Sequence, residues 1–167
     1  MEEGDVFLDS YTGQSVEELI ALQKTHRIDS LVLAFESALD AKKESGQEVS
    51  GVELVILAVE ALEREVGNGG YSQFFYNSSV EYAPIIVDAL RSIGCNEIAD
   101  LTQKAIDLLG VKSLDPEEIE ERMDPDDEEL EDSLSKLDDI YFNEVNDVPG
   151  YALFDYIKNN RENIKLA

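Results

Sequence analysis

The sequence predicts an all-α fold, a single-domain helical bundle of about seven to nine helices. Three observations carry that expectation. Apolar residues recur at three- and four-residue steps in several separate segments. The segments open on Ser, Asp or Asn with acids in the following turn, and they close on glycine. No stretch alternates apolar and polar residues convincingly as a strand would.

Residues 1–14 read as an N-terminal tail whose Val6, Phe7, Leu8 and Tyr11 can dock on the body, and residues 15–167 as one domain. Ser15 with Glu18 is a capping box that starts a short helix through Leu22. A second helix is expected from Asp29 to Lys43, with Leu31, Val32, Phe35, Ala38 and Leu39 on its apolar face and Gly46 after its end. Ser50 with Glu53 is another capping box, and the helix it opens runs through Val66 to a stop at Gly67. From Val52 to Leu62 that helix has little polar face, so it belongs at the centre of the fold.

Asn68, Gly69 and Gly70 then form a tight connection, and Tyr71 to Tyr76 a short helix or turn that buries Phe74 and Phe75. Asn68, Gln73 and Asn77 are placed to satisfy backbone groups around this connection. A helix from Tyr82 to Ile93 carries Pro84 in its first turn and ends at Gly94. Asn96 caps the next, which reaches Leu109 before Gly110 and forms a hairpin with its predecessor. Asp115-Pro116-Glu117-Glu118 is a strong helix start, and Asp124-Pro125-Asp126-Asp127 repeats it. The helix opened there carries Leu130, Leu134, Leu137 and Tyr141 as a narrow seam. Pro149 and Gly150 precede a last helix with Leu153, Phe154 and Ile157 inward.

Charge is the outlier in composition: 38 acids against 13 Lys and Arg give a formal −25. Nucleic acid and anionic membranes are poor partners for such a surface, and a cationic partner is the expectation. With 43% hydrophobic residues the chain still has the material for a core. The single Cys95 forms no intrachain disulfide and, with an acidic N-terminus lacking a basic signal region, fits a cytoplasmic protein. The longest strongly apolar run, Leu54 to Val59, is far below the roughly 20 residues of a membrane span.

Catalytic chemistry has little to stand on, and no enzyme, cofactor or metal is expected. His26, the only histidine, sits with Lys24 and Arg27 at a helix end, where a cation serves the dipole. Cys95 has no second histidine to activate it. Asp124, Asp126 and Glu128 imitate the start of a calcium loop, but Glu129 replaces its glycine and Ser135 its closing glutamate. Glu60 and Glu63 lack a Glu-x-x-His partner for a carboxylate-bridged metal site and read as solvated helix surface. Asn68-Gly69-Gly70 lacks the lysine of a phosphate loop.

The segment from Asp115 to Asp132 is different: 12 of its 18 residues are acidic and Arg122 is its only base. As one helix it would span about 27 Å, one net negative charge per roughly 2.5 Å, against one per about 1.7 Å of duplex DNA. Such a run is physically able to present phosphate surrogates. The candidate partner-binding residues are Asp115, Glu117, Glu118, Glu120, Glu121, Asp124, Asp126, Asp127, Glu128, Glu129, Glu131 and Asp132.

A resemblance points the same way. Glu60, Gly67 and the run Asn68-Gly69-Gly70-Tyr71-x-Gln73-Phe74-Phe75-x-Asn77-Ser78 are similar to a motif of a family of small acidic bacterial proteins, typified by a dimeric neisserial DNA-mimic protein. Ala89-Leu90, Ile93-Gly94, Ala99 and Lys104-Ala105 fit the same family, as do Leu137-Asp138-x-x-Tyr141-Phe142 and Tyr156-Ile157-x-x-Asn160. The resemblance covers most of the chain after residue 50. It implies an all-helical acidic homodimer that occupies the basic DNA-binding surface of a transcription factor or other nucleic-acid-binding protein. The alternative is a helical scaffold or immunity-type interaction module whose charge serves solubility.

Overall fold

A computed structural model of the protein describes residues 4–166. Those residues contain eight α-helices, three 3-10 turns and a single isolated β-bridge, so the fold is all-α. They divide into two compact units, residues 4–60 with 148–166 and residues 61–147.

The first unit holds α1 (Val16–Ala21), α2 (Ile28–Glu44), the start of α3 (Gly51–Tyr76) and α8 (Pro149–Asn159). Both capping boxes are formed. Ser15 and Glu18 bond each other's backbone N–H at 3.1 and 2.8 Å, and Ser50 and Glu53 do so at 3.2 and 3.1 Å. α2 packs on α8, where Leu31, Phe35, Leu39, Leu153, Phe154 and Ile157 are fully buried. Glu53 does a second job: Lys42 Nζ donates to it at 2.8 Å, the Lys165 backbone N–H donates to it at 2.8 Å, and Lys42 donates to the Lys165 carbonyl at 2.9 Å. Burial pushes the Glu53 carboxyl up, but these donors and the Lys42 charge outweigh it and hold the group below its ordinary value.

Residues 4–8 of the expected tail are stitched down, Val6 bridging His26 and the Leu8 N–H donating to Ser30 Oγ at 3.0 Å; residues 1–3 lie outside the described part. His26 takes its place in that bridge, with the Thr25 hydroxyl 2.8 Å from its ring Nδ1.

The second unit holds the rest of α3, α4 (Ile86–Ser92), α5 (Asn96–Leu109), α6 (Pro116–Arg122) and α7 (Glu128–Asn143). α5 packs against both α4 and α7 through Ile98, Leu101, Ala105, Ile106 and Leu109.

Four element boundaries differ from the sequence reading. α3 runs through Gly67 and breaks two residues later, where Gly69 and Gly70 leave helical geometry. α4 starts only at Ile86, because the chain from Ser78 to Tyr82 is wound with i→i+3 bonds and Pro84 has no N–H to continue them as α-helix. Asn96 does not cap α5. Cys95 holds the cap position, and the missing acceptor is the Asp147 carboxylate, 3.0 Å from the Ile98 N–H. Asp124 does not cap α7 either. Its carboxylate accepts from the Asp126 N–H at 2.9 Å and its carbonyl from the Asp127 N–H at 3.0 Å, closing a turn with Pro125 at its second position. Asp127 is the cap, accepting from the Leu130 N–H at 3.0 Å.

Candidate functional site

The twelve acids between Asp115 and Asp132 are carried by two helices rather than one rod. α6 holds Glu117, Glu118, Glu120 and Glu121, and the first turns of α7 hold Glu128, Glu129, Glu131 and Asp132. The turn between them interrupts the 27 Å span expected for a continuous helix, so a charge spacing read from one helix axis does not apply.

Nine of the twelve are exposed: Asp115, Glu117, Glu120, Glu121, Asp124, Asp126, Glu128, Glu129 and Asp132. The other three are half-buried and committed to the fold. Glu118 accepts from the Lys112 N–H at 2.7 Å and the Ser113 hydroxyl at 2.8 Å, which hold its carboxyl below the ordinary range. Asp127 is held low by the Leu130 N–H and by Arg122, whose guanidinium stands 2.9 Å away. Glu131 accepts from Ser72 Oγ at 3.0 Å. Arg122 is occupied as well, with its Nε on the Leu109 carbonyl at 2.8 Å. The segment's only base is therefore spent inside the fold, and the exposed acids keep their excess charge.

Tyr76 completes this face. It lies one helical turn beyond Ser72, is 44% exposed, and has its phenol pushed up by partial burial and then by Glu131, Asp124 and Asp126.

The glycine-aromatic segment supports the face from below. Gly70 has φ +76° and ψ −175°, a conformation close to glycine-only, and a Cβ there would collide with the Asp138 carboxylate. Asp138 accepts from the Tyr71 N–H at 2.8 Å and so caps the second half of α3 from α7. The Tyr71 ring is fully buried, edge-on to Tyr141 at 6.1 Å, with its hydroxyl 2.9 Å from Thr102 Oγ1. Tyr141 donates its hydroxyl proton to Glu63, on the other side of the break. Phe74 and Phe75 are buried as expected.

The side-chain amides act differently from expectation. Gln73 and Asn77 do not serve backbone groups; both donate to the Glu65 carboxylate at 2.8 Å, and Ser79 Oγ joins them at 3.0 Å. Burial raises Glu65, and the three donors with Arg64 outweigh it, leaving the group low and charged. Asn68 is exposed.

Glu60 and Glu63 are not solvated surface. Glu60 is buried, and Glu63 is half-buried with its carboxyl pushed up to about 7 by burial. The signal was present in the sequence, because Glu63 stands four residues after Val59 and three before Val66, on the buried stripe. Cys95 is buried, and burial and then Asp147 and Glu63 push its thiol up to about 12, which removes nucleophilic character. Among the described residues no group of three or more His, Cys, Asp or Glu is arranged to hold a metal ion, and no helix is long and apolar enough to cross a membrane.

These features define an acidic, all-α protein whose exposed carboxylates lie on two helices and the turns beside them, with the second of those helices, α7, bonded to both sides of the α3 break. The family model described as DMP19-like protein matches residues 47–160, and the chain belongs to that family. The match takes in the Gly69–Gly70 break, the Asp138 and Tyr141 clamp, and the whole acidic segment. Among curated proteins and among solved structures, nothing matches the chain.

Proposed function

We propose that the protein is a DNA mimic that binds the basic DNA-binding surface of a transcription factor or another nucleic-acid-binding protein and competes with DNA for it. The observation that carries this reading is the set of nine exposed acids on α6 and its cap, the Asp124–Asp127 turn and the start of α7, whose only local base is consumed by Asp127 and a carbonyl. Membership of the DMP19-like family is consistent with it. Carboxylates stand in for phosphate oxygens as acceptors for Lys and Arg, and a partner that neutralises several of them meets the charge pattern it uses on DNA.

The test has two arms. The tagged protein is used to capture nucleic-acid-binding proteins from host lysate at 50 and 500 mM salt. The captured protein is then titrated onto its own labelled DNA with wild type or the triple variant Glu117→Lys, Glu120→Lys, Glu121→Lys as competitor. Wild type should displace the DNA, the variant should not, and both capture and displacement should weaken steeply with salt. Binding that is indifferent to salt and to charge reversal would refute mimicry and favour the scaffold reading.

A further inference from the structure

The three side-chain amides around the α3 break are not held alike. Gln73 and Asn77 donate to Glu65 at 2.8 Å, whereas the Asn68 amide has no hydrogen-bond partner among the described residues. Residues 67–69 are exposed, and nothing lies within 4 Å of where a Cβ on Gly67 would stand. Asn68 is also the last residue of helical geometry before the break, with Gly69 at φ −157° and Gly70 at φ +76° beyond it. Its side chain is tied to nothing, and the helical backbone that carries it ends there.

Of the eight asparagines in the chain, Asn68 alone precedes a glycine. That pairing has a chemistry of its own. A backbone nitrogen can attack the side-chain carbonyl of the residue before it only at close approach, and the Cβ of any residue but glycine crowds that approach. The interior of a helix forbids the attack, because its ψ turns the next nitrogen away from the side chain and its hydrogen bonds hold it there. At Asn68 the rotation of a single ψ at a helix end brings the Gly69 nitrogen onto Cγ, and helix ends fray.

We propose that Asn68–Gly69 is a self-modifying site of the folded protein, at which the asparagine cyclises onto the glycine nitrogen and reopens as isoaspartate or aspartate. The Gly69 N–H gives its proton to hydroxide, the nitrogen forms a bond to Asn68 Cγ, and the Cγ–Nδ2 bond breaks with Nδ2 leaving as ammonia. The cyclic imide then takes up one water. Opening on the Cγ side gives aspartate, opening on the backbone side gives isoaspartate, and nothing is oxidised or reduced. Either product adds a negative charge to a chain already at a formal −25. Isoaspartate also lengthens the main chain by one carbon, two residues before Gly70. Gly70 aims the Tyr71 N–H at Asp138, 2.8 Å away, so the added carbon loosens that bond. The change is irreversible, quickens as pH rises and accumulates with the age of the molecule. It stands whether or not the acidic face binds a partner.

The test incubates the whole protein at 37 °C and pH 8, folded and, in parallel, unfolded in urea. The tryptic peptide 65–91 carries both Asn68 and Asn77, and fragmentation reads each for the one-dalton gain. In the folded protein Asn68 should convert about tenfold or more faster than Asn77, which precedes a serine and whose amide is bound to Glu65. Hydrogen exchange at Tyr71 should rise in the converted fraction. Asn68→Gln, whose larger ring closes far more slowly, should show neither change. Folded Asn68 that stays intact while the unfolded chain converts would overturn the proposal, as would equal rates at Asn68 and Asn77. Converted protein with unchanged exchange at Tyr71 would overturn the loosening of the break.

Discussion

Gly70→Ala is the substitution that most directly examines how the break is built. At φ +76° and ψ −175° the backbone lies where a non-glycine residue costs about 1–3 kcal/mol. The new Cβ would also displace the Asp138 carboxylate. That displacement removes the hydrogen bond from the Tyr71 N–H, worth about 1.5–3 kcal/mol for a charged acceptor. The sum is about 2.5–6 kcal/mol, on the order of a hundredfold or more in the folding equilibrium. Gly69→Ala is the internal control. Gly69 has φ −157°, which any residue adopts, and its added methyl meets the Gln73 side chain, most closely at its flexible end. Its expected loss is about 1 kcal/mol, the worth of the Gln73–Glu65 bond. Urea unfolding of the three proteins separates the two positions. Adding Asp138→Ala to Gly70→Ala should cost less than the sum of the single changes, since the collision is gone. Equal losses at the two glycines, or a Gly70→Ala loss under 1 kcal/mol, would refute the account of the break.

Two further outcomes follow from carboxylates that accept hydrogen bonds within the fold. Glu65→Ala strands the donors of Gln73, Asn77 and Ser79 and should destabilise by about 3 kcal/mol at neutral pH in chemical denaturation. Because the folded protein holds Glu65 below its ordinary value, its contribution is present above about 4.5 and is lost as pH falls through the lowered value; Glu65→Gln should flatten that acid limb. Asp147→Ala removes the acceptor from the first turn of α5 and should cost about 1 kcal/mol, with hydrogen exchange rising first at Ile98.

Local signals made most of the fold legible. The Ser15–Glu18 and Ser50–Glu53 boxes, Asp115 before Pro116, and Gly110 after Leu109 mark helix ends by chemistry confined to a few residues, and each is formed as the sequence implies. What could not be read was pairing across distance. Asp147 caps a helix 49 residues earlier, and Asp138 caps one 67 residues earlier. On paper both are ordinary acids in an acidic protein, and nothing local separates a solvated carboxylate from one that closes a helix. The second proline turn misled for a related reason. Asp124-Pro125 satisfies both a helix start and a type of β-turn, and the nearby Asp127 decides for the turn by supplying its own cap. For the acidic face, composition located the segment and the resemblance supplied its meaning. The division into nine exposed acids and three half-buried ones became visible only with the partners of Glu118, Asp127 and Glu131 in place.

The Lys42–Glu53–Lys165 contact has a consequence for the order of events as the chain is made. One unit is written in two pieces, residues 4–60 and 148–166, with the whole of the other between them. During synthesis Lys42 and Glu53 emerge early, yet neither meets its Lys165 backbone partner until that residue arrives more than a hundred residues later. Residues 61–147, by contrast, hold all their described capping acceptors, Asp138 and Asp147 included, within one continuous stretch. The segment that bears the acids can therefore finish folding first, and the amino-terminal helices, although translated earlier, are the last to be closed.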